Sequence, residues 1–232
     1  MIDFHSHILP GMDDGAKNVD VSLQMLRESA AQGVTMICAT PHFYAEENSP
    51  ERFLKRREKA MNALLPELKE NMPKIRPGAE VQYFEGICRV KEIDELKIEG
   101  TDILLLEMPF TQWTARMWRD VEELAARPNI QVMLAHIERY LQFGAEKYLT
   151  NSPLRGILIQ SNAENFLCGF FWRCKAIKLV KNGLIDVLGS DAHNMTTRGP
   201  RLKEAREIIA EKAGREALRR IDKTGSELLK DI

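Results

Sequence analysis

Short apolar runs recur along the chain, separated by longer segments in which apolar residues fall three and four positions apart. The runs are residues 1–4 (MIDF), 34–40 (VTMICAT), 75–81 (IRPGAEV), 102–108 (DILLLEM), 130–136 (IQVMLAH), 156–161 (GILIQS) and 184–190 (LIDVLGS). Continuous runs of this length predict strands buried on both faces of a parallel sheet. The segments 20–32, 50–70, 115–127, 163–182 and 200–220 predict helices. In the first of them Val21, Leu26 and Ala30 share a face and Gly33 is a C-cap signal; Pro50 opens the second. Residues 83–101 lack a clean helical period. Seven strand–helix units with no spare linker predict an α/β fold closed into a barrel, with a doubly wound open sheet as the alternative.

In such a barrel the functional groups stand at the C-terminal ends of the strands. The first run ends in His5-Ser6-His7, the second in Thr40-Pro41-His42; the third carries Glu80, the fourth ends in Glu107, the fifth in His136, and the seventh leads into Asp191-Ala192-His193. All five histidines of the chain are in this set. Residues two apart on a strand face the same way, so His5 and His7 can point at one spot, and Asp191 and His193 can do so if their strand extends that far. Any one of these histidines taken alone is a candidate for a hydrogen-bonded structural role. Together, imidazoles and carboxylates gathered at one barrel mouth would repel and lose solvation unless cations joined them, which points to a metal centre. Asp13-Asp14-Gly15 reads either as a turn or as a further ligand source. Arg139 and Arg198 follow His136 and His193 closely and are candidates for holding an anion, although arginines are more often found in surface ion pairs.

Composition narrows the class. The chain has 232 residues, 44% hydrophobic and 29% charged, with a formal net charge of −1. This is the balance of a globular protein; it gives no support to a broad basic surface for nucleic acid and leaves room for a small basic pocket. No apolar run reaches membrane-span length, and the acidic, histidine-bearing start MIDFHSH does not read as a signal peptide, so the expectation is a cytoplasmic protein that is not membrane-inserted. The four cysteines form no CxxC pair and none precedes an arginine by six positions, which removes a thiolate zinc site and a cysteine-nucleophile phosphatase from consideration. They are expected to be buried small hydrophobes.

The segments MIDFHSHILPGMDDGAK (1–17), GVTMICATPHF (33–43), PGAEV (77–81), LLLEMP (104–109), AHIERY (135–140), GSDAHN (189–194) and TRGP (197–200) resemble the PHP family, named for polymerase and histidinol phosphatase. More narrowly they resemble its branch of metal-dependent protein-tyrosine phosphatases found with bacterial capsule and exopolysaccharide genes. The resemblance covers nearly the whole chain and implies one PHP domain over residues 1–232, a distorted (β/α)7 TIM-like barrel. It implies three divalent ions: one held by His5, His7, Glu80 and Asp191, with Glu80 bridging to a second that also takes Glu107 and His136, and a third held by Asp14, His42 and His193. It implies Mn, with Fe, Zn, Co or Mg as alternatives for such an N/O ligand set. Arg139 and Arg198 match the phosphate-binding arginines, and with Asp14 and His42 they form the expected catalytic set. Two departures lie near the expected pocket: Ile137 stands where the branch has proline, and residues 160–170 (QSNAENFLCGF) differ from its Gly-rich version.

Four ionised carboxylates, three divalent ions and two arginines would leave the pocket at roughly +4, attractive to a phosphate dianion. The expected reaction is in-line attack by a metal-bridging hydroxide on phosphotyrosine, and the implied protein substrate is a tyrosine kinase of polysaccharide export. A phenolate leaves readily because the pKa of tyrosine is near 10. The rivals are a histidinol-phosphate or other small phosphomonoester phosphatase, an amidohydrolase-type hydrolase, and a non-catalytic metal-stabilised scaffold. Phe43 and Tyr44 are expected on a loop at the rim. Trp113, Trp118 and Phe170-Phe171-Trp172 are expected in the core or at subunit contacts, and Glu51–Lys59 on a solvated helix face.

Overall fold

The computed structural model describes residues 1–151 and 156–229, with the side chains of 149–151 left aside. Nine strand segments among these residues make seven positions around a barrel. β1 (Ile2–Ser6) pairs in parallel with β2 (Met36–Ala39), which continues after Thr40-Pro41 as β3 (His42–Phe43). Pro41 has no N–H to give to a ladder, and the strand breaks there. β4 (Lys74–Pro77) and β5 (Glu80–Gln82) are likewise two halves of one strand, joined across Gly78 by bonds from Gly78 N–H to Ala39 carbonyl (2.8 Å) and from Glu80 N–H to Pro41 carbonyl (3.0 Å). β6 (Ile103–Glu107), β7 (Gln131–Leu134), β8 (Leu158–Asn162) and β9 (Val187–Gly189) follow in order, every pairing parallel. The ring is closed by the chain just past β9: Asp191 N–H donates to His5 carbonyl (2.7 Å), and His7 N–H to Ala192 carbonyl (2.9 Å).

The helices pack outside. α1 (Val19–Ala31) is capped by the Asn18 side chain, α2 (Pro50–Leu64) by Ser49, and α3 (Ala115–Ala125) by Thr114, each accepting a first-turn N–H. α4 (Glu146–Asn151), α5 (Glu164–Leu167), α6 (Phe170–Lys181), α7 (Leu202–Lys212) and α8 (Arg215–Leu228) complete the set. The expected helix at 163–182 is divided at Gly169 and that at 200–220 at Gly214, whose φ of 96° suits glycine. The stretch 83–101 holds two 3-10 turns in place of a regular crossover helix, and another 3-10 turn covers Ile137–Phe143 ahead of the short α4. In α1 the fully buried side is Ser22, Leu23, Met25, Leu26 and Ser29, while Val21 and Ala30 are only half-buried.

The alternation along β6 sorts the core. Leu104 and Leu106 join the larger apolar cluster under the helices; Ile103 and Leu105 join a smaller one with Cys38, Met133 and Val187. Glu107, in phase with Ile103 and Leu105, therefore shares their face of the sheet. Phe43 lies on β3 and is buried edge-on against Phe53, so it belongs to the core rather than to a rim loop. Trp113 and Trp118 are buried as expected. Phe170, Phe171 and Trp172 are not: they stand 82%, 63% and 38% exposed. Among the cysteines only Cys38 is buried; Cys88 and Cys168 are half-buried and Cys174 is exposed.

Candidate metal centre

The strand ends bring the nine expected ligand residues together. On β1, Nε2 of His5 and of His7 lie 3.1 Å apart. Both face Glu80 Oε2, at 3.1 and 3.3 Å, and Asp191 Oδ1, at 3.6 and 3.4 Å. The other oxygen of the same carboxylate, Glu80 Oε1, is 2.8 Å from His136 Nε2, which is 3.3 Å from Glu107 Oε1. At the open side, Asp14 Oδ1 is 3.6 Å from His42 Nε2 and 3.4 Å from His193 Nε2. His42 Nδ1 is 3.0 Å from Glu80 Oε2, which ties this group to the first. Asp14 is 66% exposed, while His5, His7, Glu80, His136 and His193 are buried.

These residues fit divalent ions. Ligand atoms held at about 2.1 Å from one ion lie roughly 3.0–3.4 Å from each other, the range in which most of these pairs fall. Glu80 Oε2, His42 Nδ1 and His193 Nε2, which face the cluster, are buried without a hydrogen-bond partner, the state of an atom reserved for something other than protein. The electrostatics agree. Burial works against ionised carboxylates here, yet the surrounding histidines hold Glu80 and Asp191 well below the ordinary carboxyl range. Burial also works against a charged His136, but Glu107 and Glu80 raise its pKa to about 9; His7 rises for the same reason through Asp13, Asp191 and Glu80. Around Glu80 the field favours positive charge, whereas burial and the neighbouring His7 and Arg198 push the pKa of His193 down to about 4.

Two backbone features aim the ligands. Strand alternation would set His136 on the same side as Val132 and Leu134; instead its φ of 30° turns the chain as β7 ends. Asp191 has a φ of 54° and lies two residues beyond the end of β9, so it does not reach the site as a strand residue sharing His193's phase. Both are left-handed non-glycine residues, the kind of strain that persists at functional positions. Gly189 packs against β1 so closely that a Cβ would sit 2.5 Å from His5 Cβ.

Several residues that orient the candidate ligands are not assigned that part by the sequence pattern. Asp13 accepts from His7 Nδ1 (2.7 Å), His42 N–H (2.8 Å) and Gly15 N–H (2.9 Å). Gln160 Oε1 accepts from His136 N–H at 2.7 Å and faces His5 Nδ1 at 3.4 Å. Asn162 donates to Asp191 Oδ2 (2.7 Å), and Glu138 accepts from Ser161 and Asn162 (both 3.0 Å). His193 Nδ1 donates to Asp191 carbonyl (2.9 Å). The polar run Gln160-Ser161-Asn162 that ends the apolar GILI is the one signal for Gln160 and Asn162. Arg139 and Arg198 converge from two sides, each placing Nη2 on Asp191 Oδ2, at 2.5 and 2.8 Å. Tyr44 stacks on His42 (5.2 Å between centroids) and Phe110 on His136 (5.8 Å), so aromatic rings flank the cluster.

The family model for capsular polysaccharide synthesis proteins CpsB/CapC matches residues 1–229. The chain belongs to this family. Its relatives include the tyrosine-protein phosphatase YwqE of Bacillus subtilis, 28% identical over 93% of this chain and 86% of its own length, and the tyrosine-protein phosphatase CpsB of Streptococcus agalactiae, 28% identical over 93% and 92%. A chain from the crystal structures of YwqE from Bacillus subtilis and CpsB from Streptococcus pneumoniae, described as unique metal-dependent tyrosine phosphatases, superposes with a TM-score of 0.86 at 25% identity, over all of this chain and 95% of the other. A β-aspartyl dipeptidase from Fervidobacterium islandicum shares the fold alone, with a TM-score of 0.53 at 16% identity. This CpsB/CapC-family chain therefore carries the PHP-type barrel that its sequence motifs implied. Among its described residues no helix is long and apolar enough to cross a membrane.

Proposed function

We propose that this CpsB/CapC-family chain, acting as one catalytic unit over residues 1–232, is a metal-dependent protein-tyrosine phosphatase. The observation that carries the reading is the position of Glu80: one carboxylate faces His5, His7 and His42 with Oε2 and His136 with Oε1, while two arginines converge on the neighbouring Asp191. His5, His7, Glu80 and Asp191 would hold a first divalent ion, Glu80, Glu107 and His136 a second, and Asp14, His42 and His193 a third, with Mn the ion of choice. Such ions supply Lewis acidity, which activates water and neutralises phosphoryl oxygens.

The chain's own residues do the rest. Asp13, Gln160 and the Asp191 carbonyl hold the Nδ1 sides of His7, His5 and His193, leaving each Nε2 directed inward. Arg139 and Arg198 each meet Asp191 through Nη2, and a guanidinium has five N–H donors, so donors remain for phosphoryl oxygens. No acid is required for the leaving group, since a phenolate departs with a conjugate-acid pKa of about 10. The substrate proposed is a phosphotyrosine protein in the cytoplasm, a tyrosine kinase of polysaccharide export.

The test is turnover by metal-stripped protein reloaded with Mn, comparing a phosphotyrosine peptide, a phosphoserine peptide and histidinol phosphate. Selective, chelator-sensitive release from the tyrosine peptide is expected. Preference for histidinol phosphate, or no turnover with metal demonstrably bound, would overturn the reading. Near-normal turnover in His136→Ala or Asp191→Ala would overturn the ligand assignment.

A further inference from the structure

We propose that the outer face of α6 is a docking surface for anionic lipid, which seats the protein peripherally on a membrane. From residue 165 to residue 185 the chain has no carboxylate and four cations, Arg173, Lys175, Lys178 and Lys181, on a protein whose formal net charge is −1. The charge is thus unevenly spread, with the rest of the chain correspondingly acidic. At 3.6 residues per turn, Phe171, Lys175, Lys178 and Lys181 fall on one side of α6, and Ala176 and Val180, which are buried, on the other; Phe170 opens the helix at the edge between the two, in line with the buried Ile177.

The exposed side is unlike an ordinary solvated helix face. Phe170 and Phe171 are 82% and 63% exposed at its start, with Trp172 beside them. Lys175 Nζ stands 4.7 Å from the Phe171 ring centroid and 5.0 Å from that of Trp172. Among the described residues no carboxylate lies within ion-pair distance of Lys175, Lys178 or Lys181; the neighbouring Lys212 of α7 pairs with Glu211. A groove of about 620 Å³ runs along the same side, and its charged lining residues are all basic. Aromatic rings that insert at the headgroup level, backed by lysines that meet lipid phosphates, are the composition of an interfacial anchor. Each lysine adds attraction for an anionic surface, and the aromatic pair supplies what charge alone does not: affinity that survives moderate salt.

Topology sets the orientation. β8 ends at Asn162, on the mouth of the barrel, and α6 begins eight residues later before running back toward the start of β9. The aromatic corner therefore stands at the mouth end. Docking there would hold the candidate metal centre close to the membrane surface, where membrane-tethered protein segments are concentrated. A second copy meeting this face with its own would set lysine against lysine, and a docking site for an acidic protein would leave vesicle binding absent, which the test reads.

The experiment is sedimentation of the full chain with phosphatidylcholine vesicles, with and without phosphatidylglycerol. Binding is expected only where phosphatidylglycerol is present. Phe170→Ala/Phe171→Ala should weaken it about tenfold or more, as should Lys178→Glu/Lys181→Glu. All four positions lie outside the metal cluster, so turnover of p-nitrophenyl phosphate by each variant should match wild type and serves as the folding control. A blue shift of Trp172 fluorescence on adding vesicles, absent in Trp172→Phe, should accompany binding. Indifference to phosphatidylglycerol, or unchanged binding in the Phe pair variant, overturns the proposal. So does light scattering that shows this face mediating self-association without lipid binding.

Discussion

Asp13 Oδ2 lies 2.7 Å from Nδ1 of His7 and fixes which face of that imidazole looks into the barrel. The same oxygen also accepts the His42 N–H, so one carboxylate sets the approach of two candidate ligands. A partner of this kind orients a ligating histidine and raises its basicity, and its loss typically weakens metal binding about 10–100-fold. Asp13→Asn should therefore need a correspondingly higher Mn concentration for half-maximal phosphatase activity, with maximal rate largely restored at saturating metal. Titration against a chelator measures this, and an unchanged Mn requirement would contradict the role.

Arg139 and Arg198 share one acceptor, Asp191 Oδ2. If they grip phosphate, removing either should lower kcat/KM by about 100-fold or more, the scale seen when a donor to a developing charge is lost. Lysine at either position should recover little, because it lacks the planar fork. Metal content measured alongside must stay at the wild-type level; a fall in bound metal would instead make these arginines supports for Asp191.

Phe110 is 45% exposed and stacks nearly parallel on both His136 and Tyr140 (interplanar angles 25° and 26°). A ring presented beside the reacting centre can pack against a substrate aryl group, worth about 1 kcal/mol. Phe110→Ala should raise KM for aryl phosphates roughly fivefold and leave KM for glycerol phosphate unchanged. Equal effects on both substrates would assign the ring to packing only.

Away from the centre, Asp120 supports the fold through its charge. It accepts from Tyr83 hydroxyl (2.7 Å) and Gly86 N–H (3.2 Å) and meets the Cys88 thiol. Burial opposes its ionisation, yet the bonds from Tyr83, Gly86 and Cys88 hold its pKa below the ordinary 3.8. A depressed folded-state pKa contributes stability above the unfolded-state value, and this is lost as pH falls through the folded-state value. Asp120→Asn should destabilise the protein by about 2 kcal/mol near neutral pH. The gap to wild type should narrow as pH falls below 3.8, and thermal unfolding at several pH values reads it. A gap that stays constant down to strongly acidic pH would assign the loss to packing instead.

The histidines are legible in the linear sequence because that residue type is scarce here and stands where apolar runs end. The two-residue period of a strand carries His5 and His7 to one side without further information. The seven barrel positions follow from the same runs, since each has to be buried on both faces. The breaks at Pro41 and Gly78 subdivide two of those strands without changing their order. The weaker readings are those that depend on what lies opposite. The Phe170–Trp172 aromatics read as core or subunit contact in the sequence, yet no described element covers Phe170 and Phe171.

By itself the sequence determined the strand rhythm, the parallel pairing and the side chains that crowd near the strand ends, because those properties are local to a run and its boundary. Only the tertiary structure decided that the sheet closes into a barrel and how the candidate ligands are aimed. Asp13, Gln160 and Asn162 are ordinary polar residues whose partners among the candidate ligands are 6 to 155 positions away in the chain. The left-handed turns at His136 and Asp191 depend on neighbouring strands holding them against their own backbone preference. Hydrogen bonds across the barrel and strain held by packing have no signature in a linear pattern, since they exist only once the sheet has closed.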